Sequence, residues 1–372
     1  MRHIHCQTIV KWANGAQIER LHSDGQWRME INPTWSTDQK YRVSATSQDL
    51  RTIIFCVPFL HIDSSNGILS VTRLAETLGT LGVNVVFMCV LSEYPKEELI
   101  FTNTLQNRMT KTDFSNLSAS IQTKSKQLGI TCVTDHQPYI NQGAAVLYTE
   151  RIINNPLNAQ KVIRYFGNKN GVLNGGKCVA LGHDDFILAH SRVLHPDPHH
   201  CLFFGEINRE FKHIELKRFK DRKMSLTYIG KGYLYGEVGG IEQTIHVTRE
   251  SPSTKRELAY LLGNSRFLFT WDSWTNLIAE GIFCGAVPVI LRSQPFTLDE
   301  INNVESGPTP FIDSSSIRYD EAGKVYEFKN PGDYESFIKA RESFISRQLQ
   351  LERYYPFSVQ EFLTKLQIHF TK

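Results

Sequence analysis

The sequence predicts an α/β protein with two doubly wound sheets, and two observations support this prediction. The chain has 372 residues, which is too long for one ordinary hydrophobic core and typical of two domains of about 150–200 residues each. Continuous apolar runs of strand length alternate with helical patterns in two separate stretches of the chain. Parallel strands whose two faces are both covered by helices show this pattern.

The pattern divides the chain into four parts. Residues 1–48 read as short strands and turns, 49–205 and 206–345 as two doubly wound domains, and 346–372 as terminal helices that cross back. Proline and basic residues within 195–224 mark the passage between the domains. Open sheets bind ligands at the carboxyl ends of their strands, so we expect the functional site in the cleft between the domains.

The apolar runs place the individual elements. In the first domain we predict strands at 52–57, 83–90, 144–148 and 185–189, with helices at 68–81 and 158–166. In the second we predict strands at 226–229, 244–247, 266–270 and 287–291, with helices at 254–262 and 276–284. Two further helical patterns, 334–351 and 359–369, close the chain.

The composition excludes several classes of protein. Hydrophobic residues make up 41% of the chain and charged residues 21%, as in globular rather than disordered or fibrous proteins. The net charge of +3 is too small for a dedicated nucleic-acid binder. The seven cysteines have no CxxC or Cys/His spacing, which predicts a reducing compartment and no structural zinc.

The sequence also predicts where the protein resides. No stretch has the apolar pattern of a signal peptide or of a membrane span, so we expect a cytoplasmic protein. The basic run 217–223, KRFKDRK, reads either as a solvated linker or as a peripheral contact with an anionic membrane surface.

The strongest chemical signal lies in 269–291, FTWDSWTNLIAEGIFCGAVPVIL. A predicted strand delivers Asp272 to the carboxyl edge of its sheet, and Ser273 and Thr275 supply N-cap hydroxyls for a helix that begins near Asn276. The first turn of such a helix carries unpaired backbone N–H groups and about half a positive charge. These features favour the binding of a diphosphate.

A second acid and a turn complete this motif. Glu280 follows Asp272 with seven residues between them, and CGAVPV comes next at 284–289. The arrangement resembles the E-x7-E…G-x-P-V donor signature of GT-B glycosyltransferases, which have two Rossmann-like domains facing each other across a cleft. The first acid here is Asp, one methylene shorter than the family's Glu.

The resemblance implies a role for each domain and each motif residue. The domain 49–205 would bind the acceptor, and 206–345 would bind the nucleotide-sugar donor. Glu280 would hold the ribose, and Asp272 would contact the donor sugar. The remaining donor-binding residues implied in this loop are Ser273, Trp274, Thr275 and Asn276.

The turn at 228–232, YIGKG, fits the same function. Gly230 permits a tight turn after a strand, and Lys231 offers a flexible ammonium suited to neutralising a departing diphosphate. GT-B enzymes commonly carry an Arg/Lys pair at this position, which implies Lys231 as the first cation and Arg249 as the second. The resemblance therefore predicts metal-independent catalysis, with the nucleotide-sugar as a co-substrate and no further cofactor.

The first domain holds candidates for the general base. Asn66-Gly67 resembles the glycine loop and helix start of GT-B acceptor domains, which approach the donor. His61 and Asp63 precede it on the same loop. Either is a candidate base for an acceptor hydroxyl, and Asp63 serves equally well as a helix N-cap.

Glu150 is the third base candidate and follows the predicted strand 144–148. The segment 148–165, with Y-x-E and NPL, resembles bacterial surface-polysaccharide glycosyltransferases. In that setting Glu150 would be a base or a sugar ligand; the alternative is an acid paired with Arg151 or Arg164.

The histidine-rich segment 194–200, LHPDPHH, has two interpretations. It reads as loop structure or as the "HP" motif of transferases that use CMP-activated sugars. It lacks the spacing that shapes a metal site.

The sequence thus favours a glycosyltransferase that moves a sugar from a nucleotide-sugar to a hydroxyl of a glycan or lipid-linked glycan in bacterial polysaccharide or lipopolysaccharide synthesis. A nucleotide-sugar epimerase of similar architecture and a non-catalytic GT-B-like partner protein are the alternatives. The sugar, the acceptor, the oligomeric state and the stereochemical course are left open.

Overall fold

Parallel sheets organise both halves of the protein. The computed structural model describes residues 10–14, 17–21, 27–31, 50–57, 66–92, 99–101, 129, 131–133, 135–152, 154–205, 207–239, 241–248, 251–291, 296–319 and 326–371. A small antiparallel sheet of β1 (Val10–Asn14), β2 (Gln17–Leu21) and β3 (Trp27–Ile31) precedes the two parallel sheets.

The first parallel sheet has the strand order β10-β9-β8-β7-β4-β5-β6, and only β6 runs antiparallel to its neighbour. Its strands are β4 (Thr52–Val57), β5 (Asn84–Ser92), β6 (Leu99–Phe101), β7 (Ala145–Thr149), β8 (Lys161–Phe166), β9 (Phe186–Ala189) and β10 (His200–Cys201). The helices of this half among the described residues are α1 (Asn66–Thr80) and α2 (Gln137–Asn141).

The second sheet is parallel throughout and has the order β12-β11-β13-β14. Its strands are β11 (Met224–Tyr228), β12 (Ile245–Val247), β13 (Ser265–Thr270) and β14 (Val287–Ile290). The helices around it are α3 (Arg209–Lys212), α4 (Lys255–Gly263), α5 (Asn276–Phe283) and α6 (Leu298–Asn302). A hairpin of β15 (Ile317–Tyr319) and β16 (Tyr326–Phe328) leads to the last helix, α7 (Gly332–Thr371).

The predicted fold class, α/β with two sheets of parallel strands, is confirmed. In β4, Ile53, Phe55 and Val57 pack into one core cluster, while Ile54 and Cys56 pack into another on the opposite face. Because both faces of the strand are covered, its sequence is continuously apolar instead of alternating.

One predicted helix is wrong. Residues 158–166 contain the strand β8, which pairs in parallel with β7 and β9. Ile163 and Tyr165 face one core, and Val162 faces the other. A short apolar run that is buried on both faces has no periodicity that separates strand from helix, and its β-branched and aromatic residues favour the strand.

The two predicted C-terminal helices form a single helix, α7, which continues through Pro356. Phe337 and Phe344 on its first half pack against clusters of the second sheet. Val359 and Phe362 on its second half pack against the core of the first sheet. Packing along both halves stabilises the helix where a proline would otherwise interrupt it.

The two halves of the protein also contact each other directly. Phe166 and Ile187 of the first sheet share a buried cluster with Phe296 and Ile301 of the second half. An ion pair joins Lys169 Nζ to Glu300 Oε1 at 2.5 Å. Across the described part of the chain, no helix combines the length and the apolar character that crossing a membrane requires.

His200 lies where α7 meets the edge of the first sheet. Its Nε2 is 3.1 Å from the carbonyl oxygen of Ser358, and Lys365 Nζ is 3.4 Å from Nδ1. This arrangement suits a neutral ring, with Nε2 donating and Nδ1 accepting. Burial, and secondarily the charge of Lys365, lowers the pKa of His200 to about 4.

We therefore expect acid to loosen the docking of α7. The imidazole is neutral when folded and protonates near pH 6.5 when unfolded, so the unfolding free energy should fall between pH 6.5 and 4, by roughly 3 kcal/mol at most. Urea unfolding of wild type and His200→Gln across this range measures the effect. His246→Gln, which removes an exposed imidazole, is the control. Equal pH dependence in wild type and His200→Gln would contradict this assignment.

Candidate functional site

The site predicted in the second half lies at the carboxyl edge of its sheet. β11 and β13 are parallel neighbours, and Tyr228 pairs with Thr270 at their ends. The chain therefore leaves both strands at the same edge. A 3-10 turn at Gly230–Tyr235 follows β11, and the loop 271–275 follows β13. The turn that carries Lys231 thus lies beside the loop that carries Asp272.

The Asp272 carboxylate connects these two segments. One oxygen, Oδ2, accepts a hydrogen bond from the backbone N–H of Lys231 at 3.0 Å and lies 3.0 Å from its Nζ. The other oxygen, Oδ1, accepts from the backbone N–H of Trp274 at 3.1 Å. Lys231 Nζ also donates to the carbonyl oxygen of Trp274 at 2.7 Å. The Asp272 side chain is only 3% exposed. Because little water reaches it, these protein groups compensate its negative charge.

Gly230 is required by this close approach. Its φ is +53°, and a Cβ at this position would lie 2.5 Å from Asp272 Oδ2 and 2.5 Å from Tyr228 Cε1. Glycine adopts this backbone conformation without the steric penalty of other residues. The glycine before Lys231 therefore allows the turn to pack against the acid.

The helix α5 begins at Asn276 as predicted, but of the two predicted N-cap hydroxyls Thr275 alone caps it. Thr275 has extended backbone angles, and its hydroxyl accepts a hydrogen bond from the backbone N–H of Leu277 at 3.3 Å, which makes it the N-cap. The Ser273 hydroxyl is buried and has no hydrogen-bond partner among the described residues. At the other end, Arg341 donates to the carbonyl oxygens of Ile282 and Phe283, at 2.7 Å each. A cation there complements the helix macrodipole.

Glu280, the predicted ribose ligand, lies on α5 and is buried. Its Oε1 is 3.2 Å from Nζ of Lys255, the first residue of α4. Burial raises the pKa of Glu280, and Lys255 opposes this shift. No sequence motif pointed to Lys255.

The first sheet contributes a second group of predicted residues. Asn66-Gly67 begins α1 after β4, and Glu150 follows β7, the neighbour of β4. Glu150 is buried; it accepts from the backbone N–H of Gly167 at 3.3 Å and from the Asn168 side-chain amide at 3.2 Å. Burial raises the pKa of Glu150.

The alternative pairing of Glu150 with Arg164 is not found. Arg164 forms a buried ion pair with Asp185 instead, with Nε and Oδ2 2.8 Å apart. Arg151 lowers the pKa of Glu150 only weakly, as the least of the influences on it. Glu150 is therefore held mainly by neutral amide groups.

Trp274 brings the two groups together. Its indole Nε1 donates to the carbonyl oxygen of Gly167 at 3.0 Å, and its ring stacks on Phe296 at 4.6 Å. The backbone N–H of Gly167 thus donates to Glu150, and its carbonyl oxygen accepts from Trp274. The carboxyl edges of the two sheets therefore meet at the contact between Trp274 and Gly167.

His190 also belongs to this region, although it was not among the residues predicted from the sequence. It follows β9 and lies edge-on to Trp274, with ring centroids 6.4 Å apart. Burial lowers its pKa to about 4, so the ring is neutral at pH 7. Its position directly after a parallel strand, like that of Glu150, was the available signal.

Three predicted site residues, His61, Asp63 and Arg249, lie outside the described residues, and their roles stay predictions. The histidine-rich segment packs locally: His195 contacts Phe166, and His199 stacks on Phe186. Among the described residues, no three or more His, Cys, Asp or Glu side chains are grouped so that they could hold a metal ion.

The basic run 217–223 is partly structural. Arg222 is buried and donates to the carbonyl oxygens of Lys217, Ser265 and Gly285. Arg218 forms an ion pair with Asp221 at 2.6 Å. Fewer free charges are therefore left for an anionic surface than the sequence implied.

Comparisons with known proteins give similarity in structure only. No family model matches the chain, and no curated protein does. The glycotransferase of kitacinnamycin is 12% identical and has a TM-score of 0.40, covering 83% of this chain and 98% of its own. SnogD, a glycosyltransferase from Streptomyces nogalater, is 12% identical with a TM-score of 0.35, covering 84% of this chain and 100% of its own.

A third solved structure is an alpha-glucosyltransferase in complex with UDP and a 13-mer DNA containing an HMU base. It is 12% identical with a TM-score of 0.36 and covers 87% of this chain and 100% of its own. All three TM-scores lie below 0.5, so these similarities do not establish an activity for this chain.

The contact between Gly230 and Asp272 is testable. We expect Gly230→Ala to lower the unfolding free energy by about 1–3 kcal/mol, because alanine is strained at this φ and its Cβ overlaps the Asp272 carboxylate. Chemical denaturation measures the change. Gly239→Ala is the matched control, since a Cβ there would meet nothing within 4 Å. Similar stability of the two variants would show that the turn is free to move away from Asp272.

Proposed function

We propose that the protein is a glycosyltransferase that moves a sugar from a nucleotide-sugar donor to an acceptor hydroxyl. The observation that supports this most is the convergence at Trp274. Lys231 and Asp272 of the second sheet edge bind its backbone, and its indole donates to Gly167 beside Glu150 of the first. A cation for a departing diphosphate and a carboxylate for an acceptor thus approach from opposite sheets.

The donor would lie against the second sheet edge. Its diphosphate would face the start of α5, where backbone N–H groups and the macrodipole favour anions. Lys231 is 16% exposed and already paired with Asp272. In the reaction the Lys231 ammonium would turn towards the phosphate. Asp272 would still accept the hydrogen bond from the backbone N–H of Trp274. Glu280 would accept hydrogen bonds from the ribose hydroxyls.

Buried polar groups without partners also support a polar ligand here. The Ser273 hydroxyl and the Asn168 side-chain oxygen are buried, and neither has a hydrogen-bond partner among the described residues. Such groups are uncommon in native proteins. They flank the contact between Trp274 and Gly167, where hydroxyl groups of a sugar would satisfy them.

Glu150 is our candidate for the base of an inverting reaction. It would take the proton of the acceptor hydroxyl while the acceptor oxygen attacks the anomeric carbon. The bond from that carbon to the phosphate oxygen breaks, and the nucleoside diphosphate leaves. The raised pKa of Glu150 makes its carboxylate a stronger base. His61 and Asp63 stay alternative bases, and a retaining reaction needs none of the three.

The finer features of the function are also proposals. The acceptor would be a glycan or lipid-linked glycan of a bacterial surface polysaccharide, and the reaction would need no metal because Lys231 and the α5 start supply the charge. The protein would act in the cytoplasm. The burial of Arg222 leaves fewer free charges in 217–223 for a peripheral membrane contact.

Nucleotide binding tests the proposal first. We expect at least one of UDP, GDP, dTDP, CMP and ADP to raise the melting temperature; a ligand at 100 times its Kd adds about 2.7 kcal/mol. Lys231→Met should lower transfer activity about 100-fold, as loss of a charge-stabilising donor does. The control is Lys161→Met. Lys161 begins β8, so it lies at the amino end of a strand, away from the carboxyl ends that form the candidate site.

The outcomes of this experiment separate the alternatives. Stabilisation by no nucleotide would favour a non-catalytic protein and contradict the proposal. Conversion of a nucleotide-sugar to an isomer without an acceptor would favour the epimerase. Equal activity of Lys231→Met and Lys161→Met would remove Lys231 from the mechanism.

Glu150→Gln gives an independent test, because stability and activity should change in opposite directions. A buried acid with a raised pKa binds its proton more tightly when folded, so the unfolding free energy falls as the pH rises above 4.5, where the acid ionises in the unfolded chain. We expect Glu150→Gln to raise the unfolding free energy at pH 7 and to lower kcat. A variant that loses stability while keeping activity would show that Glu150 is a structural acid.

A further inference from the structure

Lys255 stands in an unusual position for a lysine. It is the first residue of α4, directly after the N-cap Thr254, whose capping box with Glu257 closes this helix end. A cation in the first turn is electrostatically unfavourable, because the macrodipole is positive there. The helix itself therefore gives no reason for a lysine at this position.

Its contacts connect Lys255 to the proposed donor site. Nζ lies 3.2 Å from Oε1 of Glu280 and 5.6 Å from the ring centroid of the buried Phe211. Among the described residues, Lys255 is the single ion-pair and hydrogen-bond partner of the Glu280 carboxylate. Glu280 lies one turn into α5, the helix whose start is the proposed phosphate position.

The two partners differ in exposure. The Lys255 side chain is 36% exposed, and the Glu280 side chain 7%. Lys255 therefore lies between the Glu280 carboxylate and the solvent. Elsewhere Lys212 and Glu352 form an ordinary pair at 2.6 Å, with both side chains exposed to similar extents. A ligand that reaches Glu280 from solvent meets Lys255 first.

We infer that Lys255 is a phosphate-binding residue of the nucleotide site, released from Glu280 when ribose hydroxyls take its place on the carboxylate. This inference rests on the proposed function. The long side chain exchanges one anionic partner for another, so the cation keeps a partner in both states. Lys255 would thereby supply the second cation beside Lys231, a role that the sequence assigned to Arg249.

The test compares nucleotides with nucleosides. We expect Lys255→Met to weaken binding of the best nucleoside diphosphate (UDP, GDP or dTDP) about tenfold, as the loss of one charge-assisted contact does. Binding of the matching nucleoside, which has no phosphate, should change less than twofold. Lys255→Arg should restore most of the affinity. Calorimetry or thermal shift measures each Kd, and Lys212→Met is the matched control.

A second background keeps the test valid if Lys255→Met leaves Glu280 unpaired and unstable. In Glu280→Gln the acid is neutral, and Lys255→Met should still lower diphosphate affinity about tenfold. Loss of that effect, or equal weakening of nucleoside and diphosphate, would show that Lys255 only positions Glu280 and would overturn the inference. Failure of the wild type to bind any nucleotide would overturn the proposed function as well. Nucleotide binding that is unchanged in Lys255→Met would overturn this inference alone.

Discussion

The buried carboxylate of Asp272 is the interaction on which the candidate site depends. It accepts hydrogen bonds from the backbone N–H groups of Lys231 and Trp274, which are 43 residues apart in the chain. Together with the hydrogen bond from Lys231 Nζ to the carbonyl oxygen of Trp274, this shared acceptor aligns the turn after β11 with the loop after β13. The same acid compensates the lysine charge, so the two strand ends, the cation and the start of α5 form one unit.

The buried acids of this region differ in how fully neighbouring groups compensate their negative charge. Asp272 has a cation and two amide donors, whereas Glu150 has amide donors and Glu280 has one lysine. Desolvation therefore dominates at Glu150 and Glu280 and raises both pKa values. Acids held in this way are suited to exchanging partners, whereas the buried ion pair of Arg164 with Asp185 is a structural contact. This contrast separates Glu150 and Glu280 from the acids of the scaffold.

The remaining contacts position this unit from outside. Arg341 of α7 holds the C-terminal end of α5, and the same long helix packs against the cores of both sheets. The contact of Trp274 with Gly167 joins residues 107 positions apart. The docking of α7, with the buried His200 at its contact with the first sheet, therefore supports the site from outside.

The sequence by itself determined the parallel strands, the turn glycine and the helix start at Asn276, because apolar runs, glycine and N-cap residues act through local geometry. It failed at 158–166, where a strand buried on both faces has no distinctive period. Only the tertiary structure decided that Glu280 faces Lys255, that Arg164 pairs with Asp185, and that Glu150 and Trp274 meet at Gly167. These partners lie 17 to 107 residues apart in the chain. Strand order, which no local pattern encodes, brings them together.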